Sequence, residues 1–258
     1  MSDHTQDAAT IDLLFRLADD ELMMGHRNAE WTGVGPVLEE DIAFSSMAQD
    51  ELGHAFAYYT VLHEHLGQDN PDTLAFRREA ADFRNARLTA LPRSDWAAAV
   101  MRQFLYDAAE QVRLEHYSSH PFAPLAQLAR KFRGEEKYHL MHGKSWVMRL
   151  GSATEDSRAR LQAALEALWP HALGLFEPGQ GGEDAGASEA ALCAGWLAQV
   201  CPLLVSSSLQ VPAERTAKGQ WQSRVAAVYG RYAEPAPERV ALLDAMQKVY
   251  RLDPNADW

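Results

Sequence analysis

The sequence predicts an all-α protein built from long helices. Three observations carry that expectation. Apolar residues recur at helical spacing along most of the chain, whereas the alternating pattern of half-buried strands is scarce. Capping and breaking residues cut this pattern into segments of helical length. The connections alternate between short and long in a way that fixes which helices are neighbours.

Taken in order, a first helix is expected from about Thr10 to Trp31, with Leu14, Leu17, Met24 and Asn28 on one stripe. The second opens at Pro36, a favourable first-turn residue. Glu39, Glu40 and Asp41 then complement the positive end of the helix dipole, and Gly67 ends it. The third starts at Ser94-Asp95, a capping signal, and runs to about Ser118. After Pro121 and Pro124 a fourth runs to about Leu150 and stops at Gly151. A fifth covers about Glu155–Phe176, bent or broken near Pro170. Gly179–Ala187 reads as a glycine-rich acidic loop, followed by a sixth helix over about Ser188–Leu209. Val211–Tyr232 looks irregular, and a last helix spans about Glu238–Tyr250.

Helices one and two are joined tightly, as are three and four, while Gln68–Arg93 is long enough to cross over between the pairs. Two hairpins and one crossover make the ferritin-like four-helix pattern. The expected organisation is a single domain over 1–258, with a core bundle at about 10–151 and a helical extension at about 152–258.

Composition narrows the function. A net charge of −12 repels phosphates and weighs against nucleic-acid binding. No apolar run is expected to reach membrane-span length, and the polar start lacks the order of a signal peptide. The only cysteines, Cys193 and Cys201, read as separate buried thiols in a reducing cytosol, not as a disulfide or thiolate site.

The chemistry sits on the apolar stripes. Glu51-Leu-Gly-His54 and Glu136-Lys-Tyr-His139 are two Glu-x-x-His motifs, and a spacing of three places both side chains on one helix face. The second helix's stripe reads Phe44, Met47, Glu51, His54, Tyr58, Leu62. The fourth's reads Leu128, Phe132, Glu136, His139, Gly143, Trp146, Leu150. The first helix inserts Glu21 between Leu17 and Met24. The third inserts Asp107 after Phe104, with Glu110 as the alternative. An acid in a core position costs several kcal/mol unless paired or bound to a cation. Four inward acids and two histidines form the ligand set of a dinuclear carboxylate bundle, and hard oxygen and imidazole donors suit iron or manganese. The rival reading is a hydrogen-bonded structural network. Asp20, Asp50 and Glu135 are expected to be solvated or to support the site, and the other histidines to be surface or ordinary core residues. Arg102–Arg113 and Lys131–Arg133 could meet a ligand's phosphates or a partner's acids, but a solvated helix face is the favoured reading.

Several segments also carry a family resemblance. Glu39-Glu-Asp-Ile-Ala-Phe running on to Ala48-Gln-Asp-Glu-Leu-Gly-His54 resembles the second helix of the PaaC and PaaA subunits of phenylacetyl-CoA epoxidase. Glu30-Trp-Thr-Gly-Val-Gly-Pro36, Thr73-Leu-Ala-Phe-Arg-Arg-Glu, Leu209-Gln-Val-Pro-Ala-Glu and the closing Trp258 resemble the PaaC type. The resemblance implies a ferritin-like subunit of a monooxygenase complex. It would pair with a PaaA-type catalytic subunit, form homo- and hetero-oligomers, and act on phenylacetyl-CoA only as part of the complex. NADPH would enter through a separate reductase. PaaC-type subunits are usually structural, with a decayed metal site; here Glu51 and His54 are both present. By position, the resemblance implies that Glu21, Glu51, His54, Asp107, Glu136 and His139 are the ligands of a di-iron site. A metal-free scaffold and a stand-alone ferritin-like oxidase are the other readings.

Overall fold

A computed structural model describes residues 3–180 and 189–253. The expected acidic loop at 179–187 falls mostly outside these residues, as does Trp258. Among the described residues the chain is all-α apart from one small hairpin. It divides into two compact units: residues 1–92 with 230–258, and residues 93–229.

The first unit is built on the hairpin of α1 (Asp3–Ala29) and α2 (Leu38–Leu66). The expected stripes are the ones buried: Leu14, Leu17, Glu21, Met24 and Asn28 on α1, and Phe44, Met47, Glu51, His54, Tyr58 and Leu62 on α2. Gly67 closes α2 in the left-handed conformation, its N–H donating to the Leu62 carbonyl. The segment from Gln68 to Arg93 is not a plain crossover. It contains α3 (Pro71–Phe76), a 3-10 turn at Ala80–Asp82 and α4 (Arg87–Ala90). The late helix α9 (Pro237–Leu252) packs against α3 and α4. Buried Arg239 secures this join by donating to the carbonyls of Phe83, Asn85 and Gly230 at 3.1, 2.9 and 2.6 Å. Burial pulls its guanidinium down to about 10.

The second unit is built on α5 (Trp96–Tyr117) and α6 (Ala123–Ala153), with α7 (Glu155–Leu173) and α8 (Glu189–Ser206) packed against them. Asp95 caps α5 by accepting from the Ala98 N–H at 2.9 Å. Three expectations need correcting here. Gly151 does not stop α6, which runs on to Ala153; its missing side chain instead admits the Ser207 carbonyl. Pro170 does not break α7, and the Pro170 carbonyl accepts from the Val228 N–H at 2.8 Å. Residues 211–232 are not wholly irregular: β1 (Ala213–Arg215) pairs antiparallel with β2 (Trp221–Ser223).

α8 corrects a fourth. It is 18 residues long with a mean hydropathy of 1.4, so by length and composition it is a candidate span. Its inner face, with Leu192, Trp196, Val200, Cys201 and Leu204, is buried, and Trp196 donates its indole N–H to the Leu105 carbonyl at 3.0 Å. Cys193 is half-buried, Cys201 is buried, and both are free thiols.

Candidate metal centre

In the first unit, Glu21, Glu51 and His54 are all buried, and each offers a ligand atom within 4.8 Å of the others. Glu51 and His54 lie three apart on α2 and so share its inner face. His54 Nδ1 stands 3.6 Å from Glu21 Oε2.

Glu21 follows two other acids, and successive residues on a helix point about 100° apart. Asp19 and Asp20 are both buried, so of the two expectations for Asp20, solvated or supporting the site, the second holds. Asp19 accepts from the Tyr59 hydroxyl and the Arg84 N–H, each at 2.6 Å, and from the Arg78 guanidinium. Asp20 accepts from Arg231 at 2.7 and 3.2 Å and from the Ala86 N–H at 2.7 Å. Two of the three acids are thereby tied to the 78–86 segment and to Arg231, which fixes the rotation of α1 and leaves Glu21 facing α2. Their partners are too distant in sequence to leave a local signal.

In the second unit, Asp107, Glu110, Glu136 and His139 are all buried. Asp107 and His139 present ligand atoms within 4.8 Å of each other, and His139 Nδ1 lies 3.2 Å from Glu136 Oε1. Gln103, one turn before Asp107, donates to its Oδ1 at 2.6 Å and orients the carboxylate. Glu110 is engaged differently. Arg113 forms a 2.7 Å ion pair with it, donates to the Leu175 carbonyl and lies over the Phe176 ring. Arg102 and Arg113 are therefore buried, not on the expected solvated face. Lys131 and Arg133 are exposed as expected. A cavity of about 120 Å³ lined by Gln111, Leu114, Arg133 and Lys137 reaches Glu136.

The donors fit a hard metal ion. Three converge in the first unit, every donor is a carboxylate oxygen or an imidazole nitrogen, and all are buried. Buried acids at this density need cationic or hydrogen-bonding compensation, which a metal supplies. Gly53 and Gly134, beside the ligands, unwind neither helix: α2 and α6 run continuously through them.

Long helices, with acids and histidines clustered on their buried faces, define an all-α protein with a carboxylate-and-histidine cluster compatible with a metal site. The whole chain, residues 1–258, matches the family described as phenylacetic acid catabolic protein, and the protein belongs to that family. It is 29% identical to the C subunit of 1,2-phenylacetyl-CoA epoxidase from Escherichia coli (strain K12), over 94% of this chain and 96% of that protein. The A subunit of the same enzyme is 26% identical over 57% of this chain and 47% of its own length. Benzoyl-CoA oxygenase component B of Aromatoleum evansii is 30% identical over 45% of this chain and 27% of its own length.

Proposed function

We propose that this chain is the C-type subunit of a multi-component phenylacetyl-CoA epoxidase, working beside an A-type catalytic subunit in the cytoplasm. We propose further that Glu21, Glu51, His54, Asp107, Glu136 and His139 are the ligands of a di-iron centre. The observation that carries the metal reading is the convergence of Glu21, Glu51 and His54 within 4.8 Å in a buried setting. Similarity along nearly the whole of both chains to the C subunit of the Escherichia coli enzyme supports the assignment of the subunit.

Iron bound there would supply a redox couple for the use of dioxygen, with reductant delivered from NADPH by a separate component. The chain's own residues do the positioning. Glu51 and Glu136 each share a helix face with a histidine, Gln103 orients Asp107, and the Asp19 and Asp20 anchors hold α1 so that Glu21 faces α2. All six side chains are buried, and the cavity beside Arg133 and Lys137 gives access to Glu136.

A metal-free scaffold is the second reading. The contacts of Glu21 with His54 and of Glu136 with His139 favour it, because each can satisfy an acid without a metal. Anaerobic loading with Fe(II), followed by desalting and iron determination, separates the two. About two irons per chain, lost in Glu51→Ala/Glu136→Ala, is the expected result. Iron-free wild-type protein that still binds an A-type subunit would leave only the scaffold.

A further inference from the structure

The second unit holds a cavity of about 370 Å³ to which none of the candidate metal ligands contributes. It lies where α8 packs against the β1–β2 hairpin. α8 presents Ala190, Cys193, Ala194 and Leu197 to it, and their spacing puts them on one helix face. Three of the four are small, which leaves the space open. Phe176, Trp221 and Tyr229 supply aromatic walls. Phe176 is backed by Trp196, and Trp196 by Trp169, with ring centroids 5.6 and 5.0 Å apart. The volume is that of about a dozen waters and falls within the range of small-molecule sites.

Two details say what kind of molecule fits. The first is charge. Among the described lining residues none is basic, and Glu189 is one of them. Burial, with Glu189 nearby, pushes the Cys193 thiol up to about 11, so at neutral pH it is an uncharged, weakly polar surface. A carboxylate or phosphate would lose water there and gain no counter-charge. The second is an unused donor. Trp169 donates its indole N–H to Ser223 Oγ at 3.1 Å, and Trp196 donates to the Leu105 carbonyl at 3.0 Å. The Trp221 N–H is buried and has no hydrogen-bond partner among the described residues. A buried donor without an acceptor is costly, and an acceptor on a bound molecule removes that cost. Arg215 does not line this cavity but lies over the Trp221 ring, its Cζ 4.8 Å from the centroid, and so steadies the indole.

We propose that this cavity is a binding site for an uncharged, single-ring aromatic molecule carrying a hydrogen-bond acceptor. The aromatic walls receive the ring, and the Trp221 N–H donates to the acceptor. The site shares no residue with the metal centre, so its test depends neither on iron nor on a partner subunit.

The test is a ligand-observed NMR titration of the full chain with acetophenone, which has one uncharged ring and one carbonyl. Benzoate serves as the anionic counterpart. Wild type should bind acetophenone saturably and benzoate at least about tenfold more weakly. Trp221→Phe keeps a ring and removes the N–H, and should weaken acetophenone binding about tenfold, the scale of one hydrogen bond. Cys193→Phe and Ala194→Phe should fill the cavity and abolish binding. Ala194 is exposed, so its variant keeps the test valid if Cys193→Phe does not fold. Thermal melting reports the folding of each. No saturable acetophenone binding by wild type overturns the site. Unchanged binding in a folded filling variant places the molecule elsewhere on the chain and overturns it equally. Unchanged binding in Trp221→Phe overturns the role of the N–H, and benzoate binding as tight as acetophenone overturns the uncharged class.

Discussion

Asp20 and Arg231, 211 residues apart in the chain, meet as a two-bonded ion pair in which neither side chain is exposed. Removing one partner of such a pair leaves the other charged and buried. Arg231→Met is therefore expected to cost about 3–5 kcal/mol of stability. Asp20→Asn/Arg231→Met should recover much of that loss, because the uncompensated charge is gone. Urea unfolding measures both, and a single variant with an unchanged midpoint would show that the pair contributes nothing.

Asp107 and Glu110 should separate by function. Asp107→Ala should lower iron retention, since its carboxylate lies near His139. Glu110→Gln should keep the iron but destabilise the fold, because Arg113 loses its buried counter-charge. Iron analysis combined with thermal melting reads both effects. Iron loss in Glu110→Gln at unchanged stability would reverse the roles.

Burial, reinforced by the Asp19 carboxylate, holds the Tyr59 phenol well above its usual range; Arg78 opposes this. The raised value favours the protonated phenol in the folded state. Its contribution is complete below the unfolded value of about 10 and is lost as pH rises through the higher folded value. Wild type should thus lose stability relative to Tyr59→Phe only above about pH 10. Parallel stability curves for the two proteins across that range would contradict the assignment.

The glycines should divide into two kinds. A Cβ on Gly143 would stand 3.0 Å from Phe104 Cα, so Gly143→Ala must push α5 and α6 apart, at about 1–3 kcal/mol. Gly53→Ala meets open space and should stabilise the isolated chain by up to about 1 kcal/mol through helix propensity. Denaturant midpoints moving in the same direction would refute this division.

Much of this was legible beforehand, for a local reason. A residue's side of a helix follows from its position, so Glu21, Glu51 and His54 could be placed on buried stripes from spacing alone. The alternative between Asp107 and Glu110 could not be settled that way, because both lie inside α5's wide buried face. What distinguishes them is Arg113, whose guanidinium reaches Glu110 and the Leu175 carbonyl. For Asp20, spacing leaves open whether it is solvated or supports the site, because its partner Arg231 is far away in sequence. Pro170 looked like a break, yet the α7 hydrogen-bond pattern closes around it. The hairpin at Ala213–Ser223 was missed because three-residue strands carry too little alternation to register.

The division of the chain bears on its synthesis. Residues 93–229 form one continuous unit, whereas the first unit joins residues 1–92 to 230–258. On a ribosome, the second unit can therefore finish folding before the first. Until Arg231 emerges, α1 carries Asp20 without its guanidinium, and α3 and α4 wait for α9. The first unit is thus completed only after more than a hundred further residues have been translated, so its α3, α4 and Asp20 stay without their last partners for that interval.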